Sequence, residues 1–229
     1  MTAHMLENPI WHSLCTEQTK FSLGGAFAKR YPADVAPFVA FDQPTDESLA
    51  ALSLLIPAGE MVYLLGNTTL SLPGFRVEAS GSVTQMVWHQ ETAPVKEAGT
   101  IEVLSAADAP EMIALTALAF PGYFRARTYE LGRYYGIRVE GSLMAMAGER
   151  MSLPGYQEVS AVCTHPALRG RGYAQQLVQR VVMGIRQNGI TPFLHVGAEN
   201  EPAKQVYEKL GFKARCNLPL LRVSQESGK

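Results

Sequence analysis

Residues 162–177 read VCTHPALRGRGYAQQL. An apolar strand runs out at about Thr164, Pro166 stops it, and Arg169-Gly170-Arg171-Gly172-Tyr173-Ala174 leads straight into an amphipathic helix. The first amides of a helix have no partner inside it and carry its positive dipole end, so such a start can hold phosphate oxygens. Gly170 and Gly172 remove Cβ atoms where backbone must approach an anion, and Ala174 keeps the first turn slim. Arg169 and Arg171 add positive charge beside it. The plainer alternative is a tight turn carrying two solvated arginines. The turn lacks the Lys-Ser/Thr ending of a P-loop and is not a GxGxxG following an early strand, which disfavours nucleoside triphosphate chemistry and a dinucleotide site.

Downstream, Leu177, Val178, Val181, Val182 and Ile185 recur at helical spacing and form one apolar face, with Gly189 near the stop. PFLHVG at 192–197 reads as a buried strand. A second helix opens on Asn200 as its cap with Pro202 in the first turn, and closes by Gly211. Ala203, Val206, Tyr207 and Leu210 share its inner face, and residues 212–223 supply one or two further strands.

Upstream, strands are expected at 134–140 and 142–149, turning at Glu140-Gly141, and at 156–164. A short strand falls near 100–104, and Asp108 with Glu111 forms a capping box for a helix running toward Ala119. The segment 121–135, PGYFRARTYELGRYY, is aromatic and basic together and is expected to be a loop or short helix near a ligand. A break is expected at 91–99, ETAPVKEAG. Before it, 45–56 reads as a helix, and 61–67 and 83–90 as strands. The short hairpin turn and the helical crossovers together predict an α/β fold with a mixed sheet.

The 229 residues are 47% hydrophobic and 18% charged, a folded composition. Twenty Lys and Arg against twenty-one Asp and Glu leave a net charge near -1, which does not favour nucleic acid as a partner. The opening MTAHMLENPI carries no basic residue or apolar core, and no apolar run reaches the roughly 18 residues of a membrane span. Three scattered cysteines, Cys15, Cys163 and Cys216, argue against a disulfide scaffold, so a cytoplasmic protein without a membrane partner is expected. No CxxC, HExxH or clustered His/Cys spacing suggests a metal.

The segment from Arg169 to Phe212 resembles the GNAT superfamily of N-acetyltransferases. The family's cofactor motif, Arg or Gln, two residues, Gly, one residue, then Gly or Ala, is matched by Arg169, Gly172 and Ala174. A second signature is matched in NEPAKQVYEKLGF through Asn200, Ala203, Tyr207, Gly211 and Phe212. The likeness covers about 100–223, and the order of GIRVEGSLMAMAGERM and EVSAVCTHP also resembles a bacterial subgroup with a divergent N-terminal region. The resemblance implies a mixed central sheet flanked by helices, with the transferase domain at 96–229. Residues 1–95 match no motif and are expected as a divergent α/β region, a degenerate second acyltransferase-like lobe being one form it could take.

The resemblance further implies that acetyl-CoA, or another short acyl-CoA, lies between parting parallel strands at 156–164 and 192–197. Backbone groups of Val162, Cys163 and Thr164 would meet the pantetheine arm, amides from Arg169 through Gly170, Arg171, Gly172 and Tyr173 to Ala174 the pyrophosphate, and Asn200 the arm again, besides capping its helix. The reaction implied is direct attack of a primary amine on the thioester through a tetrahedral intermediate. Tyr207 is the candidate acid for the departing thiolate, against a packed core aromatic. Glu158 is the candidate base, against a solvent-facing strand glutamate or a substrate-ammonium ligand, with Glu149 in reserve. Cys163 reads as packing before nucleophile, and His195 as a packed, hydrogen-bonded histidine before a catalytic one. The acceptor is expected to be a small-molecule or peptide amine, with monomer and homodimer both open. A different class of function, a non-catalytic acyl-CoA sensor or structural module, keeps the same binding residues without turnover.

Overall fold

The computed structural model describes residues 4–66, 72–96, 98–119 and 121–226. Asn67, at the end of the strand expected at 61–67, lies outside them. Pro9 supplies the fixed φ that suits a first helical turn, and α1 (Pro9–Cys15) follows it, a helix that the sequence reading did not anticipate. Three two-residue strands, β1 (Leu23–Gly24), β2 (Lys29–Arg30) and β3 (Val39–Ala40), form a small antiparallel sheet. Thr45 and Ser48 cap each other's amides at the start of α2 (Asp46–Leu55), the helix expected at 45–56.

Then come β4 (Val62–Leu65), β5 (Phe75–Trp88), β6 (Glu102–Leu104), α3 (Ala109–Ala117), β7 (Tyr134–Val139), β8 (Ser142–Leu153) and β9 (Tyr156–Thr164). The chain ends with α4 (Tyr173–Arg186), β10 (Thr191–Gly197), α5 (Glu201–Lys209) and β11 (Phe212–Gln225). Among the described residues the main sheet has eight strands in the order β4-β11-β5-β10-β9-β8-β7-β6. It is mixed, as expected: β9 and β10 run parallel, and the other neighbours antiparallel. Strands from both sides of residue 95 share it, with β5 between β10 and β11.

Glu140 and Gly141 take φ of 51° and 80°, the paired positive values of a tight hairpin turn whose twist matches its strands. The helix before that hairpin starts differently from expectation. Asp108 does not cap α3 with Glu111; its carboxylate accepts from the Ser105 amide and from Arg138, and the capping box is Ser105 with Asp108. Arg138, on the facing strand, draws Asp108 and Glu111 away from the helix end.

Consecutive strand residues point to opposite faces, and this sorts the core. Leu194 and Val196 join Leu177, Val178, Val181 and Ile185 of α4 on one face. Phe193 joins Leu6, Ile10 and Leu14 of the N-terminal segment on the other. Each fully buried aliphatic side chain contributes about 2 kcal/mol. Gln18 fastens the N-terminal segment across the sheet, its Nε2 donating to the Arg150 carbonyl at 2.7 Å. Gln176 and Gln179 of α4 likewise hydrogen-bond the backbone of the 91–99 stretch at Ala93, Val95, Ala98 and Gly99.

Candidate functional site

β9 and β10 are paired only at Tyr156–Glu158 against Thr191–Phe193; beyond that step they part. The gap is deepened by a bulge in β9. Opposite β8, Cys163 faces Met146 and Ser160 faces Gly148, so one residue of β8 spans two of β9. Ala161 there takes φ 53°, a strained value for a residue with a Cβ, held because the surrounding sheet dictates it. Nothing in EVSAVCT announces this bulge.

Two cavities open on the gap. The first, about 640 Å³, lies on the α4 and α5 side and is lined by all ten residues expected to hold the acyl donor: Val162, Cys163, Thr164, Arg169, Gly170, Arg171, Gly172, Tyr173, Ala174 and Asn200. The second, about 440 Å³, lies on the side of the N-terminal segment, with Phe38, Tyr123, Arg150 and His195 in its wall. Ala119, Val162, Asn200, Ala203 and Tyr207 line both.

Within the first cavity, Gly170 and Gly172 take φ of 79° and 84°, and Gly172 is the N-cap of α4. The amides from Gly170 to Ala174 donate to no backbone carbonyl among the described residues. The Tyr173 ring packs into the core, so this residue offers the cavity its amide rather than its hydroxyl. Arg169 and Arg171 are exposed. Thr164 Oγ1 is buried without a hydrogen-bond partner among the described residues, a polar atom waiting for a ligand. Asn200 Oδ1 accepts from the Ala203 amide at 3.2 Å, which makes it the cap of α5. A row of free amides, an orphaned hydroxyl and a slot between parted strands fit an extended phosphate-bearing arm such as that of coenzyme A.

Tyr207 stands where the cavities meet. Its ring is buried edge-on to Phe212, and burial pushes its phenol well above the ordinary tyrosine range, with neighbouring Cys163 adding to the rise. The hydroxyl therefore stays protonated at any physiological pH. Cys163 is itself pushed up to about 12 by burial, which leaves it a thiol and no nucleophile.

Glu158 is placed otherwise than a base requires. It is 1% exposed and lines neither cavity. Arg150 Nε and Nη2 donate to its two oxygens, each at 2.7 Å, the Met151 amide to Oε2 at 3.3 Å, and His195 Nδ1 lies 2.8 Å from Oε1. A carboxylate offers about four lone-pair sites, and all four are taken. In the sequence it is the candidate base, because no local spacing marks Arg150, on the neighbouring strand, or His195, 37 residues further on, as its partner.

His195 Nε2 is 3.0 Å from Gln85 Nε2, which also donates to the Leu6 carbonyl, while Arg215 donates to Gln85 Oε1. Those partners fix the amide's orientation, so His195 Nε2 accepts and Nδ1 donates to Glu158, as in a neutral imidazole. Glu149, the reserve, lies outside both cavities, its Oε2 accepting from the Arg133 amide at 3.2 Å. Of the segment 121–135, Tyr123 lines the second cavity, Tyr134 and Tyr135 are core, and Arg127 pairs with Asp34 and Glu130. Arg150 and Phe38 were missed: a lone arginine in a strand and a phenylalanine outside any motif carry no sequence signal. Among the described residues no cluster of His, Cys, Asp and Glu is arranged to hold a metal, and no helix is long and apolar enough to cross a membrane.

Comparison with known proteins places this geometry. A family model described as FR47-like protein matches residues 134–219. No curated protein matches the chain. The crystal structure of a GNAT-family protein from Novosphingobium aromaticivorans DSM 12444 is 33% identical and superimposes with a TM-score of 0.89, covering 98% of this chain and 100% of that one. A GCN5-related N-acetyltransferase from Kribbella flavida shares the fold at 18% identity, with a TM-score of 0.67 over 99% of this chain and 98% of that one. A GCN5-related N-acetyltransferase-like protein from Streptococcus suis 89/1591 does so at 15% identity and 0.56, over 88% and 82%. With a third of its residues shared along essentially its whole length, and with the parted strands and helix-start turn in place, the chain is a member of the GNAT family.

Proposed function

We propose that the protein is an acyltransferase that moves an acetyl or other short acyl group from acyl-CoA to a primary amine. The observation that carries this reading is the meeting of two cavities at Tyr207, one lined by the free amides of the α4 start and the other by Phe38, Tyr123 and Arg150. Bound acyl-CoA supplies a thioester whose carbonyl carbon the amine attacks directly. The chain's amides from Gly170 to Ala174 take the pyrophosphate, and the Thr164 hydroxyl and the Asn200 side chain bind along the arm. The bulge at Ala161 turns the backbone at Val162 out of the β8 ladder, which leaves donors free for the carbonyl oxygen as charge develops on it.

A nitrogen–carbon bond forms and the carbon–sulfur bond breaks. Tyr207 gives its proton to the departing sulfur, the proton that the nitrogen loses passes to solvent through the second cavity, and a proton taken from solvent restores the phenol. Glu158 is a positioning residue in this scheme: its filled carboxylate ties β8, β9 and β10 together below the gap. The protein is expected to act in the cytoplasm, on a small-molecule or peptide acceptor.

The test is thiol release from acetyl-CoA against amino acids, polyamines, aminoglycosides and peptides, with products identified by mass. An acylated amine supports the proposal. Tight calorimetric binding of CoA with no product from any amine would overturn it in favour of a sensor.

A further inference from the structure

The charges of the second cavity bear on which amine it accepts. Among the described residues no Asp or Glu lines it. Its cation is Arg150, whose guanidinium lies 4.9 Å from the centroid of the Phe38 ring, and Phe38 stacks on Tyr123 with centroids 6.3 Å apart. Glu158 takes Nε and Nη2 of that guanidinium. Nη1 donates to nothing among the described residues and is not one of the buried atoms left without a partner, and Arg150 lines this cavity. Glu158 is in turn held by the Met151 amide and by His195, itself held by Gln85. The remaining donor is therefore fixed in direction before any ligand arrives.

A polyamine or aminoglycoside would have to leave its hydration for a wall without a carboxylate, beside a guanidinium, and that burial is costly. A carboxylate would complete the coordination of a planar donor already oriented for it. On the footing of the acyl-transfer reading, we propose that the acceptor is an amine that also carries a carboxylate and an apolar or aromatic side group. The carboxylate binds Arg150 Nη1, the side group lies against Phe38 and Tyr123, and the amine is left to reach the gap at Tyr207. An Arg beside the acceptor also favours the neutral, nucleophilic form of the amine.

The experiment compares matched acceptors under acetyl-CoA: L-phenylalanine with phenethylamine, L-leucine with 3-methylbutylamine, and spermidine as a polycation. Each amino acid is expected to exceed its decarboxylated partner in kcat/KM by at least about tenfold, the scale of one lost hydrogen bond to a charged group. In Arg150→Gln that ratio is expected to fall toward one. Should the variant not fold, 3-phenylpropanoate decides on the wild-type protein: it is expected to inhibit competitively against the amine and not against acetyl-CoA. Acylation of phenethylamine or spermidine as fast as the amino acids overturns the inference and leaves the acyl-transfer reading standing. Thiol release with no amine of the wider panel overturns the acyl-transfer reading, and this inference with it.

Discussion

Glu158 and Phe193 are the last opposed residues of two parallel strands, and one step further the strands part to form the slot of the site. Their side chains explain how so open a feature is held at its root. Phe193 is fully buried against the N-terminal segment, and Glu158 is bound by Arg150 of the next strand and by His195 of the other. The slot is thus closed below by an apolar contact and a saturated carboxylate.

That carboxylate makes stability depend on acid. Burial by itself would raise the Glu158 carboxyl; the Arg150 guanidinium and its hydrogen bonds outweigh this and hold it at about 2, against an ordinary value of 4.5. A group depressed on folding stabilises fully above its unfolded value, and the contribution is lost as pH falls from about 4.5 toward 2. Glu158→Gln is expected to lower stability at pH 7 by about 3 to 5 kcal/mol, since it leaves Arg150 buried without its counter-ion. It should also flatten the acid limb between pH 4.5 and 2. Urea unfolding at pH 7 and across that range checks both, and a variant with the wild-type limb would refute the assignment.

Tyr207→Phe removes the proposed acid and keeps the packing against Phe212. Single-turnover rates of acyl transfer are expected to fall by about a hundredfold or more. Acetyl-CoA affinity, measured by calorimetry, should stay within about twofold. An unchanged chemical step would reduce Tyr207 to a core aromatic.

Glu149 provides a contrast. Burial raises its carboxyl above the ordinary range, the kind of shift often read as catalytic, yet it lines neither cavity and accepts the Arg133 amide. Glu149→Gln should keep kcat/KM within about twofold of wild type. A loss of a hundredfold in steady-state assays would return Glu149 to the mechanism.

The two arginines of the turn are exposed, so their pull on an anion is screened by salt. Arg169→Ala and Arg171→Ala are each expected to raise the Kd for acetyl-CoA by less than about tenfold at low ionic strength, with the difference closing near 0.5 M salt, about where the Debye length falls below 5 Å. Calorimetry at two salt concentrations distinguishes this from a direct buried contact, which would keep its penalty.

Gly211 reads in the sequence as a helix stop, and the structure adds a second constraint. Its φ is 92°, and a Cβ there would lie 2.1 Å from the Gln90 carbonyl oxygen, a backbone atom rather than the end of a flexible side chain. Gly211→Ala should cost about 3 kcal/mol in urea unfolding, more than left-handed strain by itself. A loss below about 1 kcal/mol would mean that the 89–91 backbone moves.

What could be read along the chain was whatever local physics writes locally. The apolar face of α4, the polar start of α2, the Asn200 cap, the Glu140-Gly141 turn and the RGRGYA helix start are each set by residues within one or two turns of each other. Those elements, and the motifs at Arg169, Gly172, Ala174 and Tyr207, were enough for the fold class and for the residues that line the first cavity. What only the tertiary structure decided depends on partners far apart in sequence. Arg138 took Asp108 from its helix, β5 entered the sheet between β10 and β11, and Phe38 met Arg150. Gln85, His195, Glu158 and Arg150 became one chain of hydrogen bonds. A buried charge is defined by what neutralises it, and no spacing rule names a partner on another strand; Glu158 therefore reads as a base in the sequence and stands as a saturated tie in the fold.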